Sequence, residues 1–360
     1  MRVAFLIWNK FQFKHFSKFY DIFDDITLII ERRLANDSIF SVDQLADMKM
    51  KKLFIDKSKI KHLDGVFDVI FCQTVFPQIE YIEKSKIAML QYGLAKENHN
   101  YGTWRSFASV IFSYGNYSTE KLSHFAPTFN IGHPKFDKLS VGESSSLKET
   151  LKLDNLKKTI LYCPTWGDLS SYPHYIDEIL SKADDYNVIL KLHHNTLTLS
   201  DVTNDFSDSH VIVANDYELS ELIQVSDVVI SDYSGAIFDA VYCDKPIVLC
   251  HHLDLESMQH DKVGLDSLEF KCSERLGVVV NKPKELSIAL EKALHNPIDT
   301  HEIKNDLFVD LTHDEFVSTI KHTTQGCVLG NLNKTQGQRF VSDLVRHERK
   351  QKFALKKAMR

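Results

Sequence analysis

The 360-residue sequence lacks the marks of several large protein classes. Its six cysteines are scattered and form no Cys-x-x-Cys pair, which predicts buried reduced thiols rather than a zinc site. No apolar run approaches the roughly 18 residues that span a membrane, and the run Val3 to Trp8 is too short for a signal-peptide core. The formal net charge of −6 argues against a general nucleic-acid-binding protein. These absences favour a cytoplasmic protein that does not bind nucleic acid.

Several short motifs are missing as well. No apolar run is followed by G-x-G-x-x-G, which excludes the usual dinucleotide-binding dehydrogenase, and no Walker A sequence occurs. The segment SDYSGA does not fit the G-x-S-x-G of serine hydrolases. The pairs His193-His194 and His251-His252 have no carboxylate or cysteine at ligand spacing, so we expect no metal.

The sequence does contain a repeated alternation of short apolar runs with segments of helical period. Runs that do not alternate in polarity are typical of strands buried on both faces of a parallel sheet. Two series occur, separated by the polar segment 140–155. The runs are 3–8, 26–30, 53–55, 69–72, 87–91, 109–113 and 127–132 in the first series, and 159–163, 187–192, 211–214, 227–231, 246–250 and 277–280 in the second.

This pattern predicts an α/β protein with two Rossmann-like, doubly wound domains that face each other across a cleft, a GT-B-like architecture. We expect an acceptor-side domain over residues 1–143 and a nucleotide-donor domain over 144–315. A helical, basic tail is expected over 316–360.

Polar residues follow the predicted strands of the second series, where ligands bind in open parallel sheets. Ser234, at or near a helix N-cap, and Gly235 would leave helix N–H groups open to a phosphate. An ordinary serine cap is the alternative. Asp232 could hold a ribose or substrate hydroxyl, and the neighbouring Thr165 strengthens the phosphate interpretation.

Lys191 and His193 lie two residues apart on a predicted strand, so their side chains should share a face. Together they could neutralise a leaving diphosphate. In the alternative, Lys191 extends to the surface and His193 hydrogen-bonds a loop.

Three segments resemble motifs of the CDP-glycerol glycerophosphotransferase family, which builds teichoic acids and related capsule polyol phosphates. They read ILYCPTW (160–166), ILKLHHN (189–195) and SDVVISDYSGAIFDAVYCDKPIVL (226–249). The segment NIGHPKFDKL (130–139) is similar to the family's G-x-P-[RK]-x-D element and contains His133 and Lys135. The resemblance implies donor-binding roles for Thr165, Lys191, Asp232, Tyr233, Ser234 and Gly235, and a catalytic role for His193.

The chain departs from the family at one element. Teichoic-acid members carry a Q-x-W-H-G element, and the resemblance implies that the base stands at the position of its histidine. Here Gln91 and Gly93 match, while Tyr92 stands beside the position of the histidine. We therefore expect Glu97 or His99 to act as the base, and Gln91, Gly93, His133 and Lys135 to line the acceptor side.

The resemblance implies transfer of glycerol phosphate, or a related polyol phosphate, from a CDP-linked donor to a hydroxyl of a cell-surface polymer or lipid-linked glycan, with release of CMP and no further cofactor. Two alternatives stay open: a GT-B-type glycosyltransferase that uses a nucleotide sugar, and a non-catalytic nucleotide- or polymer-binding protein. Residues 339–360 carry a net charge of +6 and predict either attachment to an anionic inner-membrane surface or a solvated helix packed back on the protein.

Overall fold

The structure, a computed structural model, describes residues 1–41, 45, 50–136, 138–193, 196, 206, 210–252, 263–264 and 266–358. Asp137 of the G-x-P element and residues 194–195 of the ILKLHHN motif lie outside these residues, as does Arg360 of the basic tail. The chain divides into two compact units. The first comprises residues 1–92, 101–135 and 306–360, and the second comprises residues 93–100 and 136–305.

The described strands coincide in position with the thirteen predicted apolar runs. They are β1 (Arg2–Ile7), β2 (Asp25–Glu31), β3 (Lys51–Ile55), β4 (Val69–Cys72), β5 (Lys86–Leu90), β6 (Val110–Ser113), β7 (Thr128–Asn130), β8 (Thr159–Tyr162), β9 (Asn187–Leu190), β10 (Val211–Val213), β11 (Val228–Ser231), β12 (Ile247–Cys250) and β13 (Val278–Val280).

The helices fall between these strands and after the last one. The α-helices are α1 (Lys10–His15), α2 (Glu97–Asn100), α3 (Asn116–Leu122), α4 (Val141–Thr150), α5 (Tyr172–Leu180), α6 (Leu219–Val225), α7 (Ala236–Tyr242), α8 (Leu268–Lys271), α9 (Ser273–Leu276), α10 (Leu286–His295), α11 (His301–Leu307), α12 (His313–Val328) and α13 (Gln336–Ala358). The 3₁₀ helices are Ser17–Ile22, Arg32–Leu34, Ser38–Phe40, Lys57–Leu63, Ile79–Tyr81, Thr103–Phe107, Gly167–Leu169 and Pro283–Glu285. None of the described helices has the length and apolar character needed to cross a bilayer.

The first unit is built on a seven-stranded sheet in the order β3-β2-β1-β4-β5-β6-β7, and its described strand pairs are parallel. An aromatic stack runs through its core. Phe5 pairs with Phe71 in register, with ring centroids 4.9 Å apart, and Phe71 lies 6.1 Å from Phe112. Side chains buried on both faces explain why the strands read as unbroken apolar runs.

The second unit is built on a six-stranded sheet in the order β10-β9-β8-β11-β12-β13, whose described strand pairs are also parallel. Both strand orders start near the centre and proceed outward in two directions, which defines a doubly wound sheet with a switch point. The prediction of two Rossmann-like domains is confirmed. The switch point of the second sheet lies between β8 and β11, two strands that lie within or overlap the family-like motifs 160–166 and 226–249.

The division into units differs in three places from the boundaries expected from the sequence. The second unit begins at Phe136, whose ring lies 5.2 Å from Tyr242, and it also includes residues 93–100. The chain returns to the first unit at Asp306, so residues 316–360 form part of that unit and not a separate tail. The reason is apolar burial: Phe316 of α12 is buried against Phe19, at 5.4 Å between ring centroids.

Candidate active site

Asp232 connects the two loops that follow the switch-point strands of the second unit. Its side chain is 1% exposed. One carboxylate oxygen accepts the backbone N–H of Thr165 at 2.8 Å, and the other accepts the backbone N–H and hydroxyl of Ser171 at 2.8 and 2.9 Å. Burial raises the pKa of Asp232 to about 6. We expected this carboxylate on a ligand hydroxyl. In the structure it braces the loops after β8 and β11.

Ser234 and Gly235 stand at the start of α7. Gly235 is the N-cap residue and has ordinary dihedral angles, φ −60° and ψ −21°. The Ser234 hydroxyl accepts the backbone N–H of Ala236 at 3.3 Å. A Cβ added at Gly235 would meet no described atom within 4 Å. The glycine thus faces open space beside the first N–H groups of the helix, which is suitable for an anion.

Tyr233 is buried between two other aromatic rings. Its side chain has no exposure, and its ring stacks on His251 at 4.9 Å and on Phe270 at 4.7 Å between centroids. The residue was expected to bind the donor. The structure places its ring in the local core, from where it orders the loop after β11.

Lys96 and Glu269 are two candidate site residues that the sequence motifs did not identify. The Lys96 ammonium donates to the Thr165 hydroxyl at 3.0 Å, and the Lys96 backbone N–H donates to Glu269 at 2.7 Å. Lys96 has a left-handed backbone with φ +59°, an uncommon conformation for a lysine and one that collects at functional sites. The contacting residues are 173 positions apart in the chain, so no local pattern pointed to them.

The Glu269 carboxyl is almost fully buried. One oxygen accepts the Lys96 N–H, while the other, Oε2, has no hydrogen-bond partner among the described residues. Burial raises the pKa of Glu269 to about 7. Glu97 lies alongside: its carboxylate accepts the backbone N–H of Leu268 at 2.9 Å, at the start of α8. A buried acceptor with a free position favours a polar ligand.

His251 and His252 follow β12 at the same edge of the sheet. The Nε2 atom of His251 is buried and has no hydrogen-bond partner within the described part of the chain. Burial lowers the pKa of His251 to about 4, so the imidazole is neutral at pH 7. His252 stacks on His174 at 4.7 Å. Across the described ranges, no three His, Cys, Asp or Glu side chains come together as a metal site.

Lys191 and His193 lie beyond the end of β9, which stops at Leu190, and not on the strand as expected. The Lys191 ammonium donates to the carbonyl oxygens of Asn215 and Tyr217, both at 2.6 Å. It therefore holds the loop after β10. The His193 ring stacks on Trp166 at 5.8 Å, within the motif that follows β8.

The two candidate bases both lie on α2, in the second unit. Glu97 is buried and bound to α8, whereas the imidazole of His99 is exposed. Gly93 also belongs to the second unit, where a Cβ added to it would meet the Asn100 side chain at 3.7 Å.

Two of the residues expected on the acceptor side, Gln91 and His133, contact Tyr114 in the first unit. The buried Gln91 side chain accepts the Tyr114 backbone N–H and donates to the Ser118 hydroxyl, each at 2.8 Å. His133 is buried between Tyr114, at 4.4 Å, and Phe308, at 5.2 Å between centroids. Lys135, the last residue of this stretch of the unit, is partly exposed.

The structure thus forms two groups, each within its own unit. In the second unit, Thr165 and Asp232 come together with Lys96, and Tyr233 packs against His251. In the first unit, Gln91 and His133 share Tyr114. The similarity to known proteins concerns mainly the group in the second unit.

A family model described as CDP-glycerol:poly(glycerophosphate) glycerophosphotransferase matches residues 96–314, more than half of the chain. The chain belongs to this family. The resemblance inferred from the three motifs is therefore confirmed, and the match includes Lys96 and Glu269, which the motifs did not contain.

Two relatives and one solved structure illustrate the similarity. A teichoic acid glycerol-phosphate transferase of Staphylococcus aureus is 34% identical over 177 residues, 45% of this chain and 44% of the relative. A teichoic acid poly(glycerol phosphate) polymerase of Bacillus spizizenii is 28% identical over 230 residues, 57% and 54% of the two chains. The chain spans about half the length of these relatives. The wall teichoic acid polymerase TagF, in a crystal soaked with CDPG, superposes with a TM-score of 0.63 at 17% identity, covering 92% of this chain and 90% of that chain, which shows a shared fold.

Proposed function

We propose that the protein transfers glycerol phosphate from CDP-glycerol to a hydroxyl of a cell-wall polymer or lipid-linked glycan and releases CMP. The observation that carries this proposal is the open space at Gly235, beside the start of α7, in a chain that belongs to this family. The relatives described above, a glycerol-phosphate transferase and a poly(glycerol phosphate) polymerase, give further support. The donor nucleotide is the only small molecule that the reaction needs, and no cofactor is proposed.

In the proposed donor complex, the diphosphate lies against Gly235 and the first N–H groups of α7. Helix N–H groups and the helix dipole favour the negative charge. The Lys96 ammonium, 3.0 Å from the Thr165 hydroxyl, and the His193 imidazole on Trp166 supply further donors from the same unit. The unpartnered buried atoms, Glu269 Oε2 and His251 Nε2, are candidates to hydrogen-bond polar groups of the nucleoside.

The chemical step is a displacement at phosphorus. An acceptor hydroxyl oxygen attacks the β-phosphorus, the bond from that phosphorus to the bridging oxygen breaks, and CMP leaves with the bridging oxygen. The acceptor proton passes to a base. We assign this role to His99, because its imidazole is exposed whereas the Glu97 carboxylate is bound to the Leu268 N–H. Positioned cations and N–H groups offset charge on the phosphates.

Calorimetry tests the donor assignment. CDP-glycerol and CDP should bind with similar affinity, since the proposed contacts are with the nucleotide and its phosphates, and UDP-N-acetylglucosamine should bind more weakly. Tighter binding of a UDP-sugar than of CDP-glycerol would assign the chain to nucleotide-sugar chemistry. Binding of CDP-glycerol without transfer to any acceptor would indicate a non-catalytic binding protein.

The proposal extends to attachment at an anionic inner-membrane surface through α13. Several of its cations are engaged within the first unit: Arg349 pairs with Glu80 at 3.2 Å, and Lys350 pairs with Glu83 at 2.8 Å. The outer face of α13 leaves Phe340, Leu344 and Leu355 more than half exposed. Apolar side chains with neighbouring cations are typical of helices that lie on anionic membranes.

Liposome co-sedimentation tests the membrane attachment. The protein should bind anionic vesicles and not neutral ones, and the variant Phe340→Ser/Leu344→Ser should remain in the supernatant. Equal recovery of the unaltered protein in the supernatant with both lipids contradicts the attachment.

A further inference from the structure

A cavity of about 190 Å³ lies at the amino-terminal edge of the first unit's sheet. Lys86 begins β5 there, and Ser109 directly precedes β6. The end of α12, the segment after it and α13 close the other sides. In a parallel sheet this edge is the opposite one from the carboxyl ends of the strands.

The lining of the cavity is strongly cationic. Among the described residues, the lining contains the cations Lys86, Lys334, Arg339 and Arg346 and a single acidic residue, Glu83. That carboxylate is held at 2.8 Å by Lys350, a residue of α13 outside the lining. The hydrogen bond with Lys350 lowers the pKa of Glu83. Glu83 also lies 3.9 Å from the Arg346 guanidinium. One carboxylate thus stands against Lys350 and the four cations of the cavity, which is too little negative charge to neutralise them all.

Two of the cations are fixed in place. Arg346 donates to the carbonyl oxygens of Glu80 and Ile82, and its guanidinium lies over the Phe107 ring at 5.3 Å. Lys334 donates to the carbonyl oxygen of Ser106. Burial, together with the nearby charge of Arg346, lowers the pKa of Lys334 to about 8. Holding two cations close together away from water is unfavourable without an anion.

The other two cations are uncommitted. Among the described residues, neither Lys86 nor Arg339 forms a side-chain hydrogen bond or ion pair, although both line the cavity. Ser109 and Ser342 add hydroxyl groups to its wall. A volume of about 190 Å³ is several times the roughly 30 Å³ that one water occupies in the liquid, which leaves room for a phosphate and a small polar substituent.

We propose that this cavity binds a phosphate group, carried either by a soluble polyol phosphate or by a lipid head group. Arginine and lysine together are the usual phosphate ligands of proteins, because the guanidinium fork and the ammonium both donate to phosphate oxygens. The site lies in the first unit and is separate from the donor site proposed in the second. It does not depend on the proposed transferase activity.

Calorimetry with inorganic phosphate and with glycerol 3-phosphate tests the site in solution, in the presence of saturating CDP so that the proposed donor site is filled. The variants are Lys86→Ala and Arg339→Ala, which remove side chains that hold no described residue in place. Lys352→Ala is the matched control, because it removes the same charge from α13 at a lysine that pairs with Glu348. We expect at least tenfold weaker phosphate binding in the first two variants and unchanged binding in the control.

Vesicles of phosphatidylcholine with and without phosphatidic acid test the lipid source. If phosphate binds in solution in a way that depends on Arg339, and the protein does not bind phosphatidic acid vesicles, the site is assigned to a soluble phosphate compound. Binding to phosphatidic acid vesicles that Arg339→Ala weakens, and that glycerol 3-phosphate competes away, assigns it to a head group. Either result supports the proposal. No binding of either probe, or binding that is equal in Arg339→Ala and Lys352→Ala, overturns it.

Discussion

At the residue scale, the four residues that follow β11, at positions 232 to 235, each have different surroundings. Asp232 is buried and bonded to Thr165 and Ser171, and Tyr233 is buried between two rings. Ser234 contacts the first turn of α7, and Gly235 faces open space. The first two positions hold the loop in shape, and the fourth faces the open space in which we propose that the phosphate binds. A ligand is therefore expected to contact Gly235 most closely.

Gly235→Ala isolates the ligand contact. The glycine has φ −60°, which alanine adopts readily, and the added methyl group would meet no described atom of the protein within 4 Å. We expect unchanged stability and at least tenfold weaker CDP-glycerol binding by calorimetry, because the methyl group occupies space proposed for a phosphate. Gly142→Ala is the matched control, since it makes the same change beside open space in α4. Equal affinities of the two variants for CDP-glycerol would show that the phosphate does not lie against Gly235.

The buried Glu269 carboxyl predicts an unusual pH dependence of stability. Burial raises its pKa from 4.5 to about 7, so the folded protein keeps a proton that the unfolded chain releases at lower pH. The stability contributed by this proton is complete below about pH 4.5 and is lost as the pH rises through about 7. The loss is roughly 3 kcal/mol, at about 1.4 kcal/mol per pKa unit.

Urea denaturation between pH 4.5 and 8 measures this loss as the free energy of unfolding. Glu269→Gln should reduce the decline, because the amide does not titrate, while the part caused by Asp232, whose pKa burial raises to about 6, should remain. Glu149→Gln, at an exposed carboxylate on α4, should leave it unchanged. A decline of the same size in Glu269→Gln would show that other groups cause it.

At the scale of elements, the strands were predictable and the helices that complete each unit were less so. Apolar runs identified β1 to β13 because a strand covered on both faces has no polar alternation. The return of α12 to the first unit had no such signal. The pairing of Lys96 with Glu269 depends on contact between α2 and α8, 173 residues apart, which a sequence pattern does not encode. The motifs predicted which loops carry the candidate site, but not that Asp232, Tyr233 and Lys191 contact and brace those loops.

The α2 helix carries the candidate base. We expect His99→Ala to lower the rate of CMP release about a hundredfold or more while CDP-glycerol affinity is retained, the usual scale for loss of a general base. His124→Ala, at an exposed histidine of the first unit, is the control. Glu97→Gln keeps an acceptor for the Leu268 N–H, so a comparable loss in that variant alone would transfer the role to Glu97. Full activity in both would place the base outside α2.

The α12 helix is expected to be part of the first unit's core. Phe316 is buried against Phe19, so Phe316→Ala should lower the free energy of unfolding by about 3–5 kcal/mol. Phe340→Ala on α13 makes the same change at a ring that is 69% exposed and should cost little. Equal effects in denaturant titrations would contradict this packing of α12.

At the scale of the whole molecule, two parallel sheets carry different parts of the proposed reaction. The family match runs from Lys96 to residue 314 and so covers almost all of the second unit, where the loops at the β8–β11 switch point bind the donor in our proposal. About half of the first unit, residues 1–92 with Gln91, precedes the match. The fold therefore supports the donor assignment more directly than the acceptor assignment.

The central claim is that the chain transfers glycerol phosphate from CDP-glycerol. The most direct measurement incubates the protein with a glycerol-phosphate-primed acceptor and, separately, CDP-glycerol, CDP-ribitol and UDP-N-acetylglucosamine, and identifies the released nucleotide by chromatography. The account predicts acceptor-dependent release of CMP from CDP-glycerol, reduced in Gly235→Ala and intact in Gly142→Ala. Release of UDP from the UDP-sugar, or no nucleotide release from any donor under conditions in which CDP-glycerol binds, would contradict it.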